Sequence, residues 1–422
     1  MIMEKWKESK VAEVIEDISM GPFGSNIKRE NYVDSGVPYL NGSNLSSFKL
    51  NEDSFYFVTE EKAKSLGRCV AKRGDIIVTH RGTIGQISYI PFDSKYEHYL
   101  TGNSQFRLTV NNKVIRPDFF VYYFHTRMGQ HRLLANASQV GVPALARPTS
   151  TFKEVLVPIP KMEIQNKIME ILHSLDDKIE VNKRINDNLE QQAQALFKSW
   201  FVDFDPFKDQ PLVESELGMI PQGWKVDNIY KYLDVIYGAP YKSALFNEEK
   251  NGMPLIRIRD LKTNSPQFFT PEILNTTEYI EAGDIVAGMD AEFTPYLWLG
   301  DKGVLNQRCC KFKGKDKGIS NYFILFFVKP KLEFVQSYKT GTTVSHLGKS
   351  DIDRFKFITP PLDVVRVFSK IVNPIKEDVV NRALESRRLA ELRDTLLPRL
   401  MSGEIRVTNM DLVNKLMENN VF

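Results

Sequence analysis

The side chains in this sequence that could do chemistry are cations, amides and a few aromatics, gathered in short loop segments. In the N-terminal part they are Lys28 and Arg29, Asn41 and Asn44 in an Asn-Gly-Ser-Asn run, His80 and Arg81, and Asn103 with Gln105. In the C-terminal part they are Tyr241 and Lys242, Arg257 and Arg259, Lys262, Asn306 and Arg308, and His346 beside Ser345. Arginine can pair through two N–H groups with O6 and N7 of guanine, and asparagine or glutamine with N6 and N7 of adenine. Lysine and backbone amides hold phosphates without reading sequence. The combination suits recognition of DNA bases, although polar loops occur on most surfaces and no single residue here is specific.

Motifs for covalent chemistry do not close. Gly341 and Gly348 in GTTVSHLGKS are separated by six residues, where a phosphate-cradling loop needs four, and the matching segment Gly141–Ser150 has no Gly-Lys-Ser. The segment reads as a variable-domain loop. Thr359-Pro360-Pro361-Leu362 and Asp205-Pro206-Phe207 both miss the Asp/Asn-Pro-Pro-aromatic tetrapeptide of an adenine methyltransferase, and Glu60-Glu61-Lys62 is only the tail of a nuclease motif. The six histidines are scattered, and Cys69, Cys309 and Cys310 have neither metal-ligand spacing nor a disulfide framework. No catalytic and no metal site is expected in this chain.

The bulk properties leave the function open. The net charge of +3 neither announces nor excludes nucleic acid, and 42% hydrophobic residues suffice for sizeable cores. The opening MIMEKWKESK does not resemble a signal peptide, and the longest apolar run, Tyr322 to Val328, is too short for a membrane span. A reducing cytoplasm is the expected setting, with no membrane partner.

What must position the loops is a duplicated scaffold. Met1-Ile2-x-x-x-Trp6-Lys7 recurs 218 residues later as Met219-Ile220-x-x-x-Trp224-Lys225, and Pro22-Phe23-Gly24-Ser25 matches Pro240-Tyr241-Lys242-Ser243. Gly36-Val-Pro-Tyr-Leu40 and Gly74-Asp-Ile-Ile-Val78 match segments starting at Gly252 and Gly283. From Pro160 and Pro360 onward the offset is constant at 200. There Ile168, Leu172, Leu175, Ile179, Leu189 and Leu196 fall on Phe368, Val372, Ile375, Val379, Leu389 and Leu396. With Trp200 these positions step by three and four, the seam of a long helix, interrupted by Asn182 and Asn186 in one copy and by Arg382 and Ser386 in the other. Buried asparagines in such a seam set register.

The spacing predicts two helices of roughly 35 residues, about 50 Å each. A seam needs a partner, so the two should pair antiparallel as a rod with a variable domain at each end. Pro374 should kink or loosen its turn. The variable parts mix strands (Asp75–Val78, Phe106–Val110, Glu154–Ile159) with one helix each. That helix spans Asp118–Leu134, with Phe119, Tyr122, Tyr123, Thr126 and Met128 on one side, and its counterpart is Asn321–Val335. The fold class is therefore α+β: two recognition domains in pseudo-twofold repeat, separated by two long antiparallel coiled-coil helices. The boundaries read as 1–160 for the first domain, 161–205 for the central helix, 206–223 for a linker, 224–361 for the second domain, 362–401 for the distal helix and 402–422 for a tail.

The block from Pro160 to Pro206 contains Gln165-x-x-Ile168, Leu175-Asp176-Asp177-x-Ile179, Asn182 and Ala195-Leu-Phe-Lys-Ser-Trp-Phe-Val-Asp-Phe204. It resembles the central conserved region of the DNA-specificity subunits of Type I restriction-modification enzymes, and Glu216-Leu-Gly-Met-Ile-Pro-x-Gly-Trp224 is similar to the same family. Ile164 replaces the family's usual glutamate, and the distal copy has Val365 in place of the glutamine. The resemblance implies a non-catalytic subunit that reads a bipartite, asymmetric site in double-stranded DNA. It would dock two methyltransferase subunits and the restriction-translocase subunits, with S-adenosylmethionine, ATP and Mg held by those partners and no cofactor in this chain. Two alternatives stand beside it: the specificity subunit of a related methyltransferase-nuclease system without a motor, and a coiled-coil scaffold whose two heads bind something other than DNA.

Overall fold

The structure is a computed structural model and describes residues 6–138, 141–339 and 346–407. Met1-Ile2 of the repeat, residues 341–345 of the glycine-rich segment and most of the tail lie outside the described residues. The chain forms two compact units: Met1–Asp177 with Arg388–Phe422, and Lys178–Arg387.

In the first unit, Ile15–Met20, Gln105–Val110, Ile76–Thr79 and Ile87–Tyr89 form an antiparallel sheet in that order. Ile76–Thr79 is buried at all four positions because it lies inside the sheet with both faces covered. A second sheet orders Tyr32–Val33, Tyr56–Val58, Val37–Tyr39, His98–Leu100 and Val70–Lys72, with Val37–Tyr39 parallel to His98–Leu100. Glu8–Lys10 pairs with Leu156–Pro158, so the strand that opens the domain lies beside the one that leads into the central helix, Met162–Phe201.

The second unit repeats this plan, with four strands among the described residues in the mixed sheet where the first unit has five. Leu233–Tyr237, Cys309–Gly314, Ile285–Gly288 and Pro295–Leu297 make the antiparallel sheet. Phe268–Thr270, Met253–Ile256, Gly303–Leu305 and Tyr279–Ile280 make the mixed one, with Met253–Ile256 parallel to Gly303–Leu305. Lys225–Asn228 pairs with Lys356–Thr359 ahead of the distal helix, Leu362–Met401.

Three local expectations change. Asp118–Leu134 is two helices, Pro117–Phe124 and Arg127–Leu134, because the Thr126 hydroxyl accepts the Gly129 N–H at 3.0 Å and caps a new start. The first of these is buried all round, whereas Met128 is exposed and takes no part in a packed side. The helix Asn321–Lys339 runs through Pro330, and the distal helix runs through the exposed Pro374, where proline removes one backbone donor. The segment read as a linker contains a hairpin, Leu212–Ser215 with Gly218–Pro221. The register of the first repeat also shifts by one. Gly21 donates to Gln105 O and Gly238 to Cys309 O, both in equivalent places, so Pro22 corresponds to Ala239 and not to Pro240.

The two long helices run antiparallel within each unit. In the second unit, Phe368, Val372 and Val379 are buried in one cluster on which Leu189, Leu196, Trp200 and Ile375 also pack, while Ile179 is half-buried. Asn182 is buried, and its Nδ2 donates to Glu385 Oε2 at 2.7 Å and Ser386 Oγ at 3.3 Å; Asn186 Nδ2 donates to Val379 O at 3.0 Å. The polar interruptions of one helix thus meet those of the other. In the first unit, Ile168, Leu172, Leu175, Leu389 and Leu396 are buried.

The units hold their helices by different chemistry. Phe368 lies 4.9 Å from the Phe201 ring and 5.6 Å from Trp200, and Trp224 closes on Phe204 and Phe207 at 5.2 and 5.1 Å. In the first unit, Asp176 accepts from Arg393 Nη1 at 2.7 Å and from the Tyr122 hydroxyl, while the Arg393 guanidinium covers Phe48, which stacks on Tyr122 at 4.0 Å. Gln165, the buried glutamine of the resemblance, accepts from Arg116 N at 2.9 Å and donates to Val114 O and Pro160 O, fixing the helix start to the domain. Trp6 packs by Gly403, just past the distal helix, as Trp224 packs just past the central one.

Two stability predictions follow from this packing. Asp176→Ala leaves the buried Tyr122 hydroxyl and Arg393 Nη1 without their acceptor while Asp394 still holds the rest of the guanidinium, and should cost about 1–3 kcal/mol. Amide hydrogen exchange should report the loss in peptides 117–125 and 388–401, and unchanged protection there would contradict the anchoring role. Burial pushes the imidazoles of His80, His125 and His173 down, all in the first unit. A base held neutral in the fold binds fewer protons than in the unfolded chain, so stability is full above the unfolded value of about 6.5 and falls as pH drops through it. Protection factors in the first unit, corrected for the intrinsic pH dependence of amide exchange, should therefore fall between pH 7.5 and 5.5, less so in His125→Gln; pH-independent protection factors would contradict it.

Candidate nucleic-acid interface

Backbone hydrogen bonds bring together the loops of His80–Arg81 and Asn103 in the first unit and of Arg308 and His346 in the second. Gly21 and Gly238 make this possible: a Cβ at either would lie 2.0 Å from Gly102 O or 2.1 Å from Asn306 O, so only glycine lets the entering loop pass. The same hydrogen bonds then build the same frame twice. His80 N donates to Ser104 O and Leu145 N to His80 O, with Arg81 bridged to Ala144. In the second unit Met289 N donates to Arg308 O and Leu347 N to Met289 O, with Asp290 bridged to His346.

A second shared element is a short helix that opens at Asn41 or Arg257. Asn41 N donates to Asn44 Oδ1 and Arg257 N to Asp260 Oδ2, each at 3.0 Å. Asn44 and Asp260 are each 2% exposed, and Asn44 Nδ2 also donates to Asn51 O and Ser54 O. Asn44 therefore builds the loop and does not present its amide outward. Three further expected readers also turn inward. Gln105 is buried and accepts from Gly102 N at 2.8 Å. The Tyr241 ring lies in a core cluster, and its hydroxyl donates to Thr277 Oγ1 at 2.9 Å. Asn306 is buried, with Oδ1 accepting from Arg308 N at 3.2 Å.

In the first unit the frame brings together Asn41, His80, Arg81 and Asn103. Arg81 and Asn103 are exposed, Asn41 and His80 half-buried. Gln86 ties these loops, donating to Gly42 O at 3.0 Å and accepting from Thr79 Oγ1 at 3.1 Å, and Asn103 N donates to the Tyr39 hydroxyl at 3.2 Å. Lys28 and Arg29 are exposed in a separate turn. In the second unit Arg257, Arg308 and His346 share the frame. Arg257 is largely committed, lying 4.2 Å above the Phe268 ring with Nε 3.4 Å from Asp260. Arg259 and Lys262 are exposed at the short helix Ile258–Leu261, and exposed Lys242 stands apart by Glu272.

Two features were not singled out from the sequence. Asp290 accepts from Arg308 Nη1 at 2.9 Å and contacts His346 Nδ1 at 2.6 Å, joining two predicted residues. Phe23 is 82% exposed beside Gly24, which faces Asn103. An aspartate or phenylalanine in a loop gives no periodic signal, so only the geometry identifies them. Gly348 N donates to Asp351 Oδ2 at 2.9 Å, which uses the amide a phosphate-binding loop would need. Among the described residues no group of three or more His, Cys, Asp or Glu could hold a metal ion, and no helix is long and apolar enough to cross a membrane.

Comparison with known proteins agrees with this duplicated plan. The family described as Type I restriction modification DNA specificity domain matches residues 3–191 and 221–392, one copy in each half. The chain is 28% identical to the Type I restriction enzyme MjaIX specificity subunit of Methanocaldococcus jannaschii, over 97% of this chain and 95% of that protein. It is 25% identical to the HindI specificity subunit of Haemophilus influenzae, over 96% of this chain and all of that one. The crystal structure of the Type I restriction-modification S subunit from M. genitalium has a similar fold, with TM-score 0.54 and 15% identity, covering 95% of this chain and 97% of that one. The chain belongs to the family of Type I restriction-modification DNA specificity subunits.

Proposed function

We propose that the chain reads a bipartite, asymmetric site in double-stranded DNA, one half with each recognition domain. The observation that carries this reading is the frame built twice with different side chains. Arg81, Ser104 and Ala144 occupy in the first domain the places of Asp290, Arg308 and His346 in the second. Equal frames with unequal contacts suit two unequal half-sites, unlike the palindrome read by identical subunits. The paired helices would fix the unread spacer and dock two methyltransferase subunits, with restriction-translocase subunits joining them. S-adenosylmethionine, ATP and Mg would be held by those partners, and this chain would do no covalent chemistry.

Co-expression with a cognate methyltransferase subunit, followed by mapping of methylated adenines, tests the proposal. The expected motif has two specified halves around an unspecified spacer. Arg81→Ala should relax the first half only, by about 1–3 kcal/mol per lost base contact. Equal relaxation of both halves would mean that Arg81 holds phosphate. Binding should also weaken with salt as counterions are released, and a log K against log salt slope near zero would favour a scaffold that binds no DNA.

A further inference from the structure

The geometry points to Asp290 as the positioning residue of a guanine-reading arginine, Arg308, in the second recognition domain, an inference that rests on the DNA reading above. Three separate segments meet here, and the backbone holds each. Met289 N donates to Arg308 O at 2.8 Å, Leu347 N donates to Met289 O at 2.7 Å, and Asp290 bridges His346. The carboxylate is the inner partner, its side chain 19% exposed against 58% for Arg308 and 53% for His346.

The contact geometry suits a two-acceptor base edge. Asp290 Oδ2 takes Arg308 Nη1 at 2.9 Å, while its other oxygen lies 2.6 Å from His346 Nδ1. A guanidinium carries five N–H donors in one plane, so a partner at one nitrogen fixes that plane while other donors can address a pair of acceptors. O6 and N7 of guanine are such a pair. A phosphate can take the same fork but carries no sequence preference, so a base preference lost with Arg308 distinguishes the two. Holding the long side chain before binding also removes rotamer freedom that would otherwise be lost on association. An acid at a DNA-facing edge would by itself repel phosphates, and here two basic side chains face it.

The fold does not require this arrangement. The first domain builds the same frame with Arg81 where Asp290 stands, Ser104 for Arg308 and Ala144 for His346. The acid–arginine pair therefore belongs to what the second domain reads.

The test is selection of binding sites from randomised duplex DNA by the full chain, with the wild type, Arg308→Ala and Asp290→Asn compared. The wild type should select a motif with an invariant guanine in one half. Arg308→Ala should lose that preference by about 10- to 100-fold with the other half unchanged, and Asp290→Asn should lose part of it at the same position. Replacing that guanine by 7-deazaguanine should weaken the wild type and leave Arg308→Ala unaffected, a response that a merely structural role would not give. Retention of the guanine by both variants, or equal loss in both halves, would overturn the inference. A wild type that selects no motif would overturn the DNA reading beneath it.

Discussion

A forty-residue helix with an apolar stripe cannot leave that stripe in water, and this chain makes two of them. Each buries its seam on the other and on the domain beside it. The stripe alone would tolerate sliding by a turn, since one apolar layer resembles the next. The polar layer restricts this: buried Asn182 finds Glu385 and Ser386, and Asn186 finds the Val379 carbonyl. A slip would leave those amides without partners at roughly 1–3 kcal/mol each. Register between the helices is thus specified where it would otherwise be weakest.

The recognition edges divide labour within themselves. Close-passing glycines and buried caps such as Asn44 and Asp260 hold the loops, and the side chains that remain outward can then vary without disturbing them. The backbone hydrogen bonds at His80 and Met289 are the same in kind although the neighbouring residues reverse charge, from Arg81 to Asp290. This separation lets one fold carry two unrelated contact surfaces. The anchors to the helices differ too, an aspartate–arginine–tyrosine group in the first unit and a phenylalanine–tryptophan cluster in the second.

The helices were legible in the sequence because their period and their constant 200-residue offset both reflect burial. The sheets were legible in part, since buried runs such as Ile76–Thr79 mark central strands, but their order depends on pairings that no local pattern records. The loops were least legible. An asparagine that caps a turn, like Asn44, and one that faces outward, like Asn103, have the same composition around them and differ only in where the amide points. Tyr241 looked like a reader because it sits beside Lys242, yet its ring fills a core. Asp290 carries no periodic signal, and only its contacts with Arg308 and His346 mark it.

The central proposal is that the two recognition domains address two separated segments of one duplex. Hydroxyl-radical footprinting of the full chain on DNA carrying its motif tests this most directly. The account predicts two protected patches separated by an accessible spacer, with the spacing unchanged when either patch is weakened by loop substitution. A single continuous footprint, or two patches whose separation varies from site to site, would contradict it.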